Sequence, residues 1–346
     1  MSKYFLFFFF ATALMSCSDT IELPVETEEN IYKTGIDLST SKTIAVEKKW
    51  GSEELFMLGY GYDATGKYAH PAYIKGKIMN ASKFYNENKS LITISKTNSR
   101  GTELPTGGTK EQVLATISEK AGFTSDELLR YTNLFKAHFE NKFENDKTFE
   151  NLSYKFYGIS ELWASTLMRI NYPQGRDEWF LTNYLTDEFK NDLSTKSADD
   201  IIKLYGTHLL TNITIGSRID YLYRYAEDRK SNSDYWFIYN IPYYFNPAAH
   251  VYTVKPEEAA PLKENMYVEV IDGLNPSPNI WMIDITNYKK ERINYKGFDS
   301  LTEENVTLVD FHNQGNKLIP IYDLALDPAK KEALIIAYNK FLGATQ

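Results

Sequence analysis

The sequence predicts an α+β domain built on long, largely antiparallel strands, and three observations carry that expectation. From Ile213 onward, Ile213, Ile215, Ile219, Tyr221, Tyr223 and Tyr225 fall on one face of an extended segment, and Thr214, Arg218, Asp220 and Arg224 on the other. At about 3.3 Å per residue this strand would span roughly 40 Å or more, where an ordinary strand has about 5–6 residues. A second alternating stretch aligns Leu152, Tyr154, Phe156, Leu162, Ala164, Met168 and Ile170. Helices and strands also segregate along the chain instead of alternating, which favours an antiparallel sheet over parallel crossover units. No internal repeat and no Pro/Gly/Ser-rich linker divides residues 40–343, so one mixed domain is expected.

The chain opens on Lys3, an apolar run from Tyr4 to Met15, and Ser16-Cys17, too short to cross a bilayer as a mature helix and followed by polar sequence. Leu14-Met15-Ser16-Cys17 fits the lipobox of bacterial lipoproteins, in which the cysteine is lipidated and becomes the mature N-terminus. An ordinary secretory signal with an incidental cysteine is the alternative, but Cys17 is the only cysteine and sits where the lipid chemistry requires it. The expected organisation is a signal peptide at residues 1–16, an acidic tether at 17–35 carrying Asp19, Glu22, Glu26, Glu28 and Glu29, and one domain at 36–346. An exported protein anchored at the outer membrane or cell surface of a Gram-negative bacterium follows, with no disulfide framework.

Within the domain, Thr43–Val46 and Leu55–Tyr62 read as strands around a turn at Gly51-Ser52. A strand at Leu91–Ser95 leads through a Gly/Pro-rich loop, 101–109, to helices at Lys110–Lys120 and Thr124–Asn145. Ser197 is a natural N-cap with Asp200 at N3, Ile201, Ile202 and Leu204 form an apolar stripe, and Gly206 supplies the left-handed residue that ends the helix. Strands at Met266–Ile271, Asn279–Asn287 and Lys317–Ile321 precede a closing helix capped by Asp327, with Pro328 at N1 and Gly343 at its end.

Tyr205-Gly206-Thr207-His208, after an acidic helical segment and before a long strand, resembles the signature of the membrane-attack-complex/perforin (MACPF) superfamily. Leu318 to Leu324 with the closing helix resembles the last strand and helix of bacterial members, and Leu58-Gly59-Tyr60-Gly61-Tyr62-Asp63 their entry strand. The likeness runs from about Ile36 to Gly343. It implies a bent central sheet flanked by two helical clusters that unfurl into membrane-spanning β-hairpins, with Gly216 and Gly273 as the glycines of the bend. By position, residues 124–145 resemble the first cluster. Leu128, Tyr131, Phe135, Phe139 and Phe143 give them a helical stripe, while Leu129, Tyr131, Phe135, Ala137, Phe139 and Phe143 share one face of a strand and form the candidate membrane-inserting face. Docking of a helix onto the sheet explains the same aromatics. The second cluster should lie between Ala226 and Asn265, where the sequence departs from the family: Pro242 and Pro247 break an aromatic run, no good helical stripe is present, and the interval reads as too short for a pair of spanning strands plus their connections.

The resemblance therefore implies a lipid-anchored protein that forms homo-oligomers on a lipid membrane and perforates it, as an antibacterial toxin would, guided by a surface glycan or protein receptor. The alternative is a non-lytic adhesin or binding module on the same fold, whose 26 tyrosines would supply contact surface. With 46 acidic residues against 38 basic ones and a net charge of −8, nucleic acid is not an expected partner. No cofactor, metal or catalytic set is expected. Gly61 to Lys67 matches much of a phosphate loop, but Tyr68 stands where Ser or Thr should hold the metal, so it reads as a turn. His70, His138, His208, His250 and His312 are scattered, His208 reads as a hydrogen-bonded structural histidine, and no GxSxG elbow is present. Adjacent acids such as Asp187-Glu188 and Asp199-Asp200 fit helix starts better than a glycosidase pair.

Overall fold

The computed structural model describes residues 36–37, 57–103, 105–139, 143, 154–171, 177–226, 265–273, 279–282, 293–294, 301, 306–311 and 318–345. Cys17, the tether, the strand expected at Thr43–Val46 and the interval between Ala226 and Asn265 lie outside them. Thirteen strands are found among the described residues. The first, β1 (Ile36–Asp37), pairs in parallel with β11 (Ile293–Asn294).

The centre of the molecule is an antiparallel sheet. It contains β4 (Ile92–Glu103), β6 (Tyr154–Ile170), β8 (Asn212–Ala226), β9 (Met266–Ile271) and β10 (Asn279–Met282) in the spatial order β10-β9-β8-β6-β4. The two alternating stretches form its core: β6 has 17 residues, β8 has 15, and they pair from Tyr154↔Ala226 to Arg169↔Asn212. Two short strands complete it, β5 (Thr106–Gly107) on β6 and β12 (Thr307–Asp310) on the first part of β8. A smaller antiparallel sheet has the order β13-β7-β2-β3, with β2 at Tyr60–Tyr62, β3 at Ile74–Lys77, β7 at His208–Leu209 and β13 at Ile319–Pro320.

Gly216 sits where β8 changes neighbours. Thr214 to Gly216 face β12, whereas Arg218 to Tyr223 face β9, and the register against β6 breaks between Ala164 and Thr166 at the same level. A bulge on one strand of a pair bends and twists it. A Cβ at Gly216 would lie 1.9 Å from the Trp163 carbonyl oxygen, so only glycine admits this approach. Strand β9 leaves the sheet at Ile271 opposite Arg218. Two residues on, Gly273 lies in a bend just past the end of β9.

Seven helices are described: α1 (Ala81–Glu87), α2 (Lys110–Lys120), α3 (Ser125–Arg130), α4 (Asp177–Tyr184), α5 (Asp187–Thr195), α6 (Ala198–Tyr205) and α7 (Pro328–Phe341). Helix α6 begins as its sequence dictates, the Ser197 hydroxyl accepting the Asp200 N–H, and buries Ile201, Ile202 and Tyr205. Leu204 instead faces outward. Two expectations are corrected. The strand at Leu91–Ser95 runs on to Glu103, and Gly101 to Glu103, read as loop, pair with β6. The helix expected to reach Asn145 stops at Arg130, and Tyr131 is extended. The polar face of β8 is covered: Thr214, Arg218, Asp220 and Arg224 are all buried.

Candidate functional site

The Tyr205–His208 tetrapeptide lies where the entry strand, the exit strand and the closing helix cross. Helix α6 delivers Tyr205 to Asp192 on α5, its hydroxyl donating to Oδ2 at 3.0 Å; burial and that carboxylate both keep the phenol protonated. Gly206 follows with φ 76° and ψ −163°. This is not the left-handed helical cap expected from the sequence but the region reserved for glycine, where asparagine gains nothing. A Cβ there would lie 2.4 Å from the Tyr62 carbonyl oxygen. Thr207 then ties three segments together. Its N–H and hydroxyl both donate to the Tyr62 carbonyl, at 2.8 and 3.1 Å, its hydroxyl accepts from the Ala64 N–H at 3.0 Å, and its carbonyl accepts from the Ile321 N–H at 2.9 Å.

His208 ends the chain of bonds. Its Nδ1 lies 2.8 Å from the Thr207 hydroxyl and its Nε2 2.9 Å from the Tyr338 hydroxyl of α7. Because the Thr207 proton goes to Tyr62, the ring is assigned the tautomer that donates from Nδ1 and accepts the Tyr338 proton at Nε2. Burial pushes its pKa down to about 3, so it is neutral, and it stacks edge-on against Phe123 and Tyr338. The arrangement is a structural knot.

On the polar face of β8, beside Gly216, the structure assembles a charged cluster. The loop from Asp63 to Tyr73 lies over it, and the lysine of the phosphate-loop-like residues is committed to the sheet: Lys67 is buried and forms an ion pair with Glu269 of β9. The His70 Nε2 lies 3.4 Å from the same carboxylate, and burial lowers its pKa. Arg218 bonds Asp220 at 3.0 Å and donates to the carbonyls of Tyr68 (2.9 Å), Ala69 and Val309. Burial works against its charge, but Asp220, Tyr68 and Asp310 outweigh it and hold the guanidinium protonated. Asp310 accepts from the Tyr68 hydroxyl and pairs with Lys120 of α2 at 2.9 Å. One arginine thereby fastens the entry loop and β12 to the middle of the sheet. Sequence reasoning missed this cluster: the alternation put Arg218 and Asp220 on one face but gave no sign of what covers it, and nothing local in the sequence marks Glu269 as the partner of Lys67.

The candidate membrane-inserting face is divided. Leu129 is 80% exposed, whereas Tyr131, Phe135 and Phe139 are buried and Ala137 and Phe143 half-buried. Helix α3 begins with a complete capping box, Thr124 to Glu127, and ends where the Tyr131 main chain bridges Ala344. From there the main chain is tied to both ends of the domain. Thr132 and Asn133 donate to Gly343 and Leu342, and Phe135 and Ala137 donate to Ala64 (2.7 Å) and Thr65 (3.2 Å). Phe135 packs edge-on against Tyr68 and Phe123. Two residues of the face, Phe135 at φ 48° and Phe143 at φ 60°, hold positive φ, which a bulky side chain adopts only under strain. A β-strand would relieve it.

The β4–β6 and β8–β9 connections leave from one end of the sheet, and the β6–β8 connection from the other. Glu103 of β4 pairs with Ser160 near the start of β6, the start of β6 pairs with the end of β8 at Ala226, and Tyr223 pairs with Met266 at the start of β9. The intervals 104–153 and 227–265 therefore emerge side by side. No protein-family model matches the chain, and no curated protein does. Solved structures match its fold. A MAC/Perforin-domain protein of Bacteroides thetaiotaomicron superposes with a TM-score of 0.59 at 14% identity, over 90% of this chain and 65% of that one. The chain has a MACPF-like fold. GNIP1Aa from Chromobacterium piscinae shares the MACPF-like architecture with a TM-score of 0.57 at 16% identity, over 83% of this chain and 55% of that one. The chain spans less than two thirds of the length of either structure. Among the described residues no helix is long and apolar enough to cross a membrane, and no cluster of His, Cys, Asp and Glu has the makings of a metal site.

Proposed function

We propose that this protein is an exported, lipid-anchored, membrane-perforating member of the MACPF architecture, one that assembles into homo-oligomers and inserts β-hairpins grown from its central sheet. The observation that carries the reading is the shared exit of the two long connections. Hairpins extending β4/β6 and β8/β9 from that end would run in one direction, as neighbours in a single sheet. A spanning β-strand needs about 9–11 residues, so two need roughly 20, which the interval between Ala226 and Met266 exceeds. The interval expected from the sequence to be too short for a pair of spanning strands with their connections therefore holds enough residues for both. The strained phenylalanines of the first connection favour the same conversion.

The closed form has to give up buried aromatics to open. Withdrawing Tyr131, Phe135 and Phe139 costs about 1.5–3 kcal/mol each, offset only where the rings re-bury in lipid. That cost, with the main-chain ties of the segment to both chain ends, favours a second reading: a non-lytic surface module that binds a glycan or protein on the same fold. Dye release from liposomes by the mature protein, with electron microscopy of the membranes, separates the two. Leakage with ring-shaped assemblies is expected; binding to cells or glycans without leakage sinks the pore reading. Anchoring through Cys17 is proposed on the lipobox. Cys17→Ala should abolish labelling by a fatty-acid analogue and release the protein from the membrane fraction, whereas unchanged labelling contradicts the anchor.

A further inference from the structure

A groove of about 540 Å³ opens where α2, the Asn133–Phe139 segment, the entry loop and the end of α7 meet. Its size falls in the range of small-molecule sites, roughly 300–1,000 Å³. Leu114, Phe139 and Phe341 supply apolar lining, and Lys110 and Lys136 bring two ammonium groups to it. Among the described residues neither lysine is paired with a carboxylate, in contrast to Lys67, Lys120, Lys190, Lys196 and Lys331, which all have acidic partners. Lys110 also occupies the first position of the 11-residue helix α2, where the helix dipole adds positive potential. Glu111 at the rim contributes one opposing charge, leaving the groove net positive on a chain whose net charge is −8. Apolar walls under a pair of unpaired cations select an anion that carries an apolar body.

We propose that this groove binds an anionic amphiphile, a phosphate- or carboxylate-bearing head on an aryl or acyl body, and that the ligand controls release of the segment beside it. Lys136 and Phe139 belong to the candidate membrane-inserting region, while Lys110, Leu114 and Phe341 belong to the body. A ligand touching both stabilises only the arrangement in which they are together, so it holds the segment docked. The regulatory half rests on the perforation reading; the binding half does not.

Calorimetric titration of the full mature chain tests the site itself, with phenyl phosphate, dihexanoyl phosphatidylglycerol, dihexanoyl phosphatidylcholine and inorganic phosphate as probes. The two anionic amphiphiles should bind at least tenfold more tightly than the zwitterionic lipid or bare phosphate. A preference for phenyl phosphate would assign a soluble aryl anion as the source and a preference for the glycerol lipid a membrane headgroup. The Lys110→Gln/Lys136→Gln double variant should keep the unliganded melting temperature and lose affinity by tenfold or more. Equal binding of all four probes, no binding of either anionic amphiphile, or full affinity in the double variant would overturn the proposal. In liposome leakage, saturating ligand should slow release by the native chain severalfold and leave the double variant unaffected. Binding with unchanged leakage overturns the regulatory half, whereas an absence of leakage without any ligand counts against perforation and leaves the titration to decide the site.

Discussion

The Tyr205–His208 crossing and the Thr124–Phe143 segment both place aromatic rings in the core, but they are held there differently. At the crossing, Tyr205, Thr207 and His208 are each hydrogen-bonded to another segment, and Gly206 lies so close to Tyr62 that no side chain fits. In the segment the main chain makes a handful of bonds to the chain ends, and two phenylalanines sit in strained backbone. A crossing tied by directional bonds has one arrangement; a segment held by packing, under strain, has somewhere else to go. The contrast locates the fixed and convertible parts of the molecule, and it can be broken at either end.

The largest effect is expected in the charged cluster that fixes the entry loop to the sheet. Glu269→Leu leaves the Lys67 ammonium buried without its carboxylate, at a cost of about 3–5 kcal/mol, and pairing it with Lys67→Met should restore most of the loss. Denaturant unfolding of the two single variants and the double checks this; equal loss in Glu269→Leu and in the double variant would mean that the ion pair is incidental. Next come substitutions at Gly206. With ψ at −163° and the Tyr62 backbone 2.4 Å from a Cβ, Gly206→Asn should destabilise about as much as Gly206→Val, by more than the roughly 1–3 kcal/mol of backbone strain alone. A melting temperature for the Asn variant well above that of the Val variant would restore the simple helix-cap reading.

His208 gives a smaller, pH-dependent effect. Its folded pKa of about 3 lies below the unfolded value of 6.5, so between those values the unfolded chain takes up a proton that the folded chain refuses. Stability is therefore full above about pH 6.5 and falls as the pH drops toward 3, by at most about 1.4 kcal/mol per pH unit from this group. Melting curves from pH 7.5 to 4.5 should show a shallower acid decline in His208→Gln than in the native chain; parallel declines would rule His208 out as the cause. The smallest effect concerns the entry loop. Ala69 sits at φ 40°, so Ala69→Gly should raise stability by up to about 1 kcal/mol, the relieved strain exceeding the entropy that glycine adds to the unfolded chain, and a fall would show that methyl packing outweighs the strain.

The long strands were legible because alternation over 15 or more residues is a strong signal, and the ends of α6 and α7 because Ser197, Asp327 and Pro328 state their roles locally. The tetrapeptide stood out by resemblance, but neither its place beside the entry strand nor its job could be read from it: the bonds from Thr207 to Tyr62 and from His208 to Tyr338 join residues more than a hundred positions apart. The same distance hid the burial of Arg218 and Asp220, since a polar face reads as solvated until another layer is known to cover it. Residues 131–139 defeated periodicity for a different reason. Their aromatics suit both helix and strand, and hydrogen bonds to Ala64, Thr65 and the chain end select a turn that neither pattern predicts.

The most direct test of a convertible segment on a fixed body is to tether it. The Ala137 N–H donates to the Thr65 carbonyl, so Thr65→Cys and Ala137→Cys in a Cys17→Ser background place two thiols on adjoining main-chain segments. Liposome dye release by this variant should be abolished when the disulfide is formed and restored to the level of the Cys17→Ser parent on reduction. Leakage at the parent's rate with the disulfide confirmed intact would show that the segment does not move, and that any perforation proceeds without it.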